Sequence, residues 1–189
     1  MKILISAILF TVVSTAFLGF IYPLAITGIS QHVFPGQANG SIIRKDGVII
    51  GSALIGQEFT NAHYFHGRPS AVDYNAGNSG GYNFGPLNDA FRAQVSDRIA
   101  AIRREEMLSS NGAVSADRVL ASASGLDPHI SMDAACEQSM RIARTRNMTT
   151  EYIRSIIDSN AERRYILFGE MFVNVLKLNL ALDLPVTNR

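Results

Sequence analysis

The sequence predicts an α+β protein in which one N-terminal transmembrane helix precedes a single loop-rich extracytoplasmic α+β domain. Three observations lead there. Lys2 is the only charged side chain ahead of Arg44. The apolar run from Ile3 to Ile26 is long enough to cross a bilayer. Beyond it, short β-branched segments and helical apolar spacings alternate with glycine- and proline-rich loops through the rest of the 189 residues. The boundaries follow as 1–29 for the anchor and 30–189 for the outer domain.

The anchor comes first. At ~1.5 Å per residue, a helix from Ile3 to Ile26 measures ~36 Å, against a hydrocarbon core of ~30 Å. Lipid gives the backbone no hydrogen-bond partners, so a single crossing must be helical. Tyr22 suits the membrane interface, and Pro23 comes late enough that a kink costs little. A competing reading is a signal peptide cut after Ser14-Thr15-Ala16, which would release a soluble periplasmic binding protein. Against it, the apolar stretch continues through Phe17, Leu18, Phe20 and Ile21. Lys2 and the terminal amine favour a cytoplasmic N-terminus. The chain then reads as a single-pass membrane protein, with its bulk outside, in the periplasm or its equivalent. Ala7, Thr11, Thr15 and Gly19 recur at four-residue steps and form a ridge of small residues suited to a partner helix.

The outer domain opens with a hairpin signal, Ile42-Ile43 and Val48-Ile49-Ile50 around Asp46-Gly47. Ala53-Leu-Ile55 is a candidate short strand. From His63 to Pro86 the glycines and prolines predict a long loop. Leu87, Phe91, Val95, Ile99 and Ile102 predict an amphipathic helix, closed before Asn111-Gly112. After a loop from Ala121 to His129, Ser131 is the expected N-cap of a helix to about Arg146. Its apolar stripe is Met132, Ala135, Cys136, Ile142 and Ala143. A third helix begins near Thr149 and carries Tyr152, Ile153, Ile156 and Ile157. The apolar tail from Phe172 to Leu184 fits strand or helix equally.

The chemistry-bearing motifs are weak. A formal net charge of +1 supplies no basic field for nucleic acid. Cys136, the one cysteine, has no internal disulfide partner and reads as a small hydrophobe. Gly77-Asn-Ser79-Gly-Gly81 matches G-x-S-x-G, which would make Ser79 the nucleophile of an exported serine hydrolase. The elbow needs a helix straight afterwards, and Tyr82-Asn-Phe-Gly-Pro86 does not start one, so no catalytic residue is assigned. His63 and His66, with Asp73 nearby and His129 distant, read as packing residues and not metal ligands. No G-x-x-x-x-G-K-[ST] loop exists. The turns at Asn78–Gly81 and Ser122–Gly125 present backbone N–H groups, leaving Ser79, Gly80, Gly81, Ser124 and Gly125 as weak nucleotide-site candidates.

Several strings nevertheless occur in a characteristic order. They are Tyr22-Pro-Leu-Ala-Ile-Thr-Gly28, Phe34-Pro-Gly-Gln-Ala-Asn-Gly-Ser41, Gly51-Ser-Ala-Leu-Ile-Gly-Gln57 and Tyr64-Phe-His-Gly-Arg-Pro-Ser70. Ser79-Gly-Gly-Tyr-Asn83, Gly85-Pro-Leu-Asn88, Ala121-Ser-Ala-Ser-Gly-Leu-Asp-Pro-His-Ile-Ser131 and Val173-Asn-Val-Leu-Lys-Leu-Asn179 follow. This series resembles the KdpC family, the single-helix subunits of bacterial Kdp potassium-transporting ATPases. The resemblance implies a non-catalytic member of an ATP-driven, high-affinity potassium uptake complex. Its implied partners are a channel-like potassium-translocating subunit, a P-type ATPase subunit and the lipid bilayer. It implies a role in assembly, and a catalytic-chaperone role that raises the ATPase subunit's affinity for ATP. No cofactor is bound by motif; ATP and K⁺ act at the level of the complex. Tyr82 and Ala123 depart from the family pattern, which weakens any reading of these loops as tuned for phosphate. A periplasmic domain meets cytoplasmic ATP only where the complex opens a path to it. The physical expectation is therefore that the anchor ridge and outer domain brace the partners and bias their conformational equilibrium by ~1–3 kcal/mol.

Overall fold

The computed structural model describes residues 1–163 and 169–184. Two compact units divide at Ile50/Gly51. In the first, helix α1 (Lys2–Ala16) passes through a π-helical turn (Phe17–Ile21) into α2 (Tyr22–Val33) without a break. The π turn has a local cause. Pro23 has no N–H to give the carbonyl of Gly19, and its ring would crowd that carbonyl in a regular α-turn. Widening the turn just before the proline removes the clash. The expected kink thus takes the form of a π turn, and the apolar helix extends to Val33. None of its most apolar stretch is buried by the rest of the chain.

A short helix α3 (Pro35–Ala38) leads to strands β1 (Ile42–Lys45) and β2 (Val48–Ser52). Asp46 at φ 51° and Gly47 at φ 81° occupy the left-handed region that a two-residue hairpin turn demands. The Asp-Gly signal is realised.

The second unit begins with a correction. Ala53–Ile55 is a turn and not a strand, closed by the Ser52 hydroxyl accepting from Leu54 N–H at 3.1 Å. The chain must bend here because Gly56 packs flat against the 126–127 backbone. A Cβ on Gly56 would lie 2.7 Å from the Asp127 carbonyl oxygen. A long irregular stretch follows to α4 (Asp89–Glu105), capped by Asn88, whose side chain accepts from Phe91 N–H. The apolar stripe expected on this helix is mostly not core. Leu87 precedes the helix and is 80% exposed, and only Ile102 is buried.

Two elements are too short to carry a period. They are α5 (Ala116–Val119) and β3 (His129–Ser131). Then α6 (Met132–Arg146) starts on the Ser131 cap, which accepts from Ala134 N–H, and stops at Asn147 in the left-handed conformation. Helix α7 (Thr150–Ser159) starts on Thr149, accepting from Tyr152 N–H. After β4 (Ala161–Arg163), the ambiguous tail proves to be both forms, β5 (Met171–Asn174) and α8 (Val175–Leu182). Asn174 is the pivot: its side chain accepts from Lys177 N–H as an N-cap and donates to Ala53 O at 2.8 Å.

The sheet is antiparallel in the order β3-β5-β4, with Ile130 and Ala161 both opposite Val173. One core joins this sheet to α6, α7 and α8 through Ile130, Ala134, Ile142, Ile153, Ile157 and Leu178. Phe65 enters the same core from the long loop. Its backbone N–H and C=O are both taken by the Asn179 amide, at 2.8 and 3.0 Å. That pairing lets a loop residue be fully buried without orphaned polar groups. It also fixes the segment that follows, which carries Arg68.

Candidate functional site

Two of the characteristic strings meet in space. Arg68 comes from the long loop, and Asp127 and His129 come from the segment that becomes β3. Arg68 Nη1 lies 3.2 Å from Asp127 Oδ2. The other Asp127 oxygen accepts from the His129 backbone N–H at 3.0 Å and faces His129 Nδ1 at 3.4 Å. The His129 ring stands edge-on to Phe172 with centroids 4.8 Å apart. Burial alone would raise the Asp127 pKa. The two His129 contacts and the Arg68 guanidinium outweigh it and hold the carboxyl below its ordinary value. A cleft of about 510 Å³ opens beside these groups, with Ser131, Asp117 and Phe172 on its wall. The arrangement is a fixed, charge-paired surface; it contains no activated nucleophile.

The loop beside it is tied by short contacts. Ser70 Oγ donates to Gly125 O at 2.7 Å and accepts from the N–H groups of Val72 and Tyr74. The Tyr74 hydroxyl donates to Arg68 O. Burial, followed by Glu58 and Asp127, pushes the Tyr74 pKa up to about 12.

The five nucleotide-site candidates, far apart in sequence, lie together. Both Gly80 N–H and Ser79 Oγ donate to the Ser124 carbonyl, at 2.9 and 3.1 Å. Gly125 sits at φ 68°, where an added Cβ would lie 2.6 Å from Val72 Cγ2 and 2.9 Å from Gly80 O. A Cβ on Gly81 would be 3.2 Å from Ala123 O. The Ser79 hydroxyl and the Gly80 N–H are thus used in closing one loop on the other. No helix follows Ser79 until Asp89, so the strand-elbow-helix context of a hydrolase serine is not formed. Tyr82 is a structural strut: its hydroxyl donates to Ser70 O and accepts from Arg98, whose guanidinium also covers its ring.

The histidines do not converge. His66 presents Nδ1 to Glu105 at 3.2 Å and Nε2 to Asn61 O at 3.1 Å, while His63 and Asp73 are exposed. Among the described residues, no three His, Cys, Asp or Glu side chains gather as a metal site. Cys136 is half-buried against the core, and burial raises its thiol pKa. On the anchor, Thr11 Oγ1 donates to Ala7 O at 2.9 Å, and the Thr15 methyl borders the space a Gly19 Cβ would take, at 3.8 Å. The four ridge residues therefore neighbour one another along one side of the helix.

The family model for KdpC, the c chain of K⁺-transporting ATPases, matches residues 4–184. The chain belongs to the KdpC family. It is similar to the potassium-transporting ATPase KdpC subunit of Bradyrhizobium diazoefficiens, with 48% identity covering 94% of each chain. The KdpC subunit of Polaromonas naphthalenivorans is 49% identical over 96% of this chain and 94% of the relative. That of Mycobacterium tuberculosis is 45% identical over 95% and 97%. Membership makes the chain an accessory, non-catalytic subunit of a potassium-transporting complex, with one helix among the described residues apolar and long enough to cross a membrane.

This KdpC-family chain also holds a charged cluster that sequence reasoning missed. Glu106 is fully buried, with Oε1 2.8 Å from Arg118 Nη2 and 3.1 Å from Arg141 Nε. Arg141 Nη1 donates to the carbonyls of Ala62 and Tyr64, and Nη2 to Gln138 Oε1 at 2.8 Å. Gln138 in turn accepts from His66 N–H and donates to His66 O. The cluster joins the C-terminal end of α4 to α5 and α6 and pins the 62–66 segment that leads to Arg68. Its one sequence signal is Arg141 beside Ile142 on the apolar face of α6.

Proposed function

We propose that this chain is the membrane-anchored brace of a potassium uptake ATPase. Its N-terminus is cytoplasmic, and the unit from Gly51 onward lies on the periplasmic side of the inner membrane. Its partners are a channel-like potassium-translocating subunit and a P-type ATPase subunit. The anchor packs its Ala7–Thr11–Thr15–Gly19 ridge on a partner helix, and the folded domain adds a second hold. Together they stabilise assembly and favour the pump state that binds ATP tightly, which raises ATP affinity without ATP touching this chain. A differential contact energy of ~1–3 kcal/mol suffices for a change of roughly 5- to 150-fold.

The observation that carries the reading is the Lys2–Val33 helix: 32 residues, mean hydropathy 2.3, its apolar stretch unburied within the chain. Leucine at Thr11, Thr15 and Gly19 tests it. The helix itself accepts the change, since a Cβ at Gly19 meets nothing closer than 3.8 Å. The triple variant is expected to insert normally and to lose co-purification with its partner subunits. Unaltered assembly and transport would discard the ridge. Calorimetry of the detergent-solubilised full chain with ATP checks the indirect mechanism, and a saturable heat would replace it with direct binding.

A further inference from the structure

At ~1.5 Å per residue, the 32 residues from Lys2 to Val33 measure ~48 Å, a little more than the ~40–45 Å of a whole bilayer with its headgroups. With slight tilt, Val33 therefore ends at the headgroup surface. Ile42 follows after only a short loop and the four-residue α3, so the β1–β2 hairpin starts beside that surface, and its residues from Ile42 to Ile50 belong to the same compact unit as the helix. Two-stranded hairpins are marginal in water unless an apolar face is covered. This one leaves Ile42 46%, Val48 65% and Ile49 53% exposed. A two-residue turn puts Arg44 opposite Ile49, so Arg44, Ile42 and Ile49 share one face. Arg44 Nη1 reaches Gly47 O at 3.4 Å, which lays the guanidinium along the hairpin tip.

We infer that the β1–β2 hairpin is a second membrane contact, an interfacial finger that seats Ile42 and Ile49, on one face, at the acyl boundary and brings the charged tip, Arg44 and Lys45, to anionic lipid phosphates. Charge and position both select lipid as the occupant. The tip carries two cations against Asp46, a net charge of +1, and these are the first charges after a helix that ends at the headgroups. The inference rests on Lys2–Val33 crossing the bilayer.

The test uses the full chain in nanodiscs, with Cys136→Ser and a fluorophore on Ile49→Cys. The discs hold phosphatidylcholine alone or mixed with phosphatidylglycerol, each with and without brominated acyl chains. Bromine is expected to quench the label, with about fivefold greater occupancy of the quenched state in the anionic discs, as one net charge near the surface gives. Arg44→Glu with Lys45→Glu is expected to abolish the lipid dependence while the protein remains in the discs. A label unquenched in both lipids overturns the inference. So does shielding that appears only when the partner subunits are present, which assigns the hairpin to protein instead. Failure of the chain to enter discs at all would refute the membrane-spanning helix, a result distinct from either.

Discussion

Replacing Arg141 by methionine tests how the fold holds its candidate site. Methionine keeps most of the side-chain length and apolar contact, so the change removes mainly charge and donors. The guanidinium belongs to a residue only 3% exposed and serves four acceptors: Glu106, Gln138, Ala62 O and Tyr64 O. Without it, Glu106 keeps Arg118 on Oε1, while its Oε2 already lacks a hydrogen-bond partner among the described residues. Removing one member of a buried ion pair costs ~3–5 kcal/mol, because the surviving charge stays desolvated. For a domain of this size that corresponds to a fall in Tm of about 10 °C. Differential scanning calorimetry on the detergent-solubilised chain measures it. Hydrogen exchange adds the functional side: amides from Tyr64 to Arg68 exchange faster, beyond the change in α7. Glu106→Gln combined with Arg141→Met is expected to cost less than the two singles added, with a coupling of ~1–3 kcal/mol. A loss below about 1 kcal/mol for Arg141→Met, the range of an exposed pair, would refute the reasoning.

Three other outcomes follow from the same contacts. Gly125→Ala combines a left-handed φ with a Cβ 2.9 Å from Gly80 O, so it is expected to cost ~2–3 kcal/mol in thermal unfolding, against little for Gly85→Ala, which meets nothing within 4 Å. The lowered pKa of Asp127 contributes stability that is present above the ordinary 3.8 and lost as pH falls through its lowered value. The lowered pKa of His66, from burial and then Arg141, acts in the same sense below 6.5. Acid unfolding curves of Asp127→Asn and His66→Gln are therefore expected to be flatter in those windows. Tyr74 works at the other end. Its pKa of about 12 gives stability that is full below 10 and lost as pH rises through 12, and alkaline unfolding of Tyr74→Phe is expected to lack that loss.

Much of the fold was legible where one residue type has one physical use. Asn88, Ser131 and Thr149 each offer a side-chain oxygen to the N–H groups of a helix start, and two of them were readable as starts because a 3.6-residue pattern follows. Asp46-Gly47 announced its turn for the same reason. Three- and four-residue elements such as β3 and α5 contain little more than one period at most and left no trace. The tail stayed open between strand and helix because its apolar residues suit either form, and Asn174, capping Lys177 N–H and bonded to Ala53 O, shows where the strand stops. The site was legible as strings and illegible as geometry. Arg68 and Asp127 are 59 positions apart, and nothing local says that they touch. Arg141 was overlooked because a charge within an apolar stripe looks like an interruption until its buried partners are seen.

The strand β3 has a consequence for life at high density. Its pairing with β5 leaves the N–H groups of His129 and Ser131 to the chain's own carboxylates, from Asp127 at 3.0 Å and Asp117 at 2.6 Å. A sheet margin whose outward N–H donors are already taken is a poorer template for a neighbouring strand. Molecules crowded side by side on a membrane plane meet far more often than in bulk solution, and along this margin the two aspartates disfavour edge-to-edge pairing in such encounters.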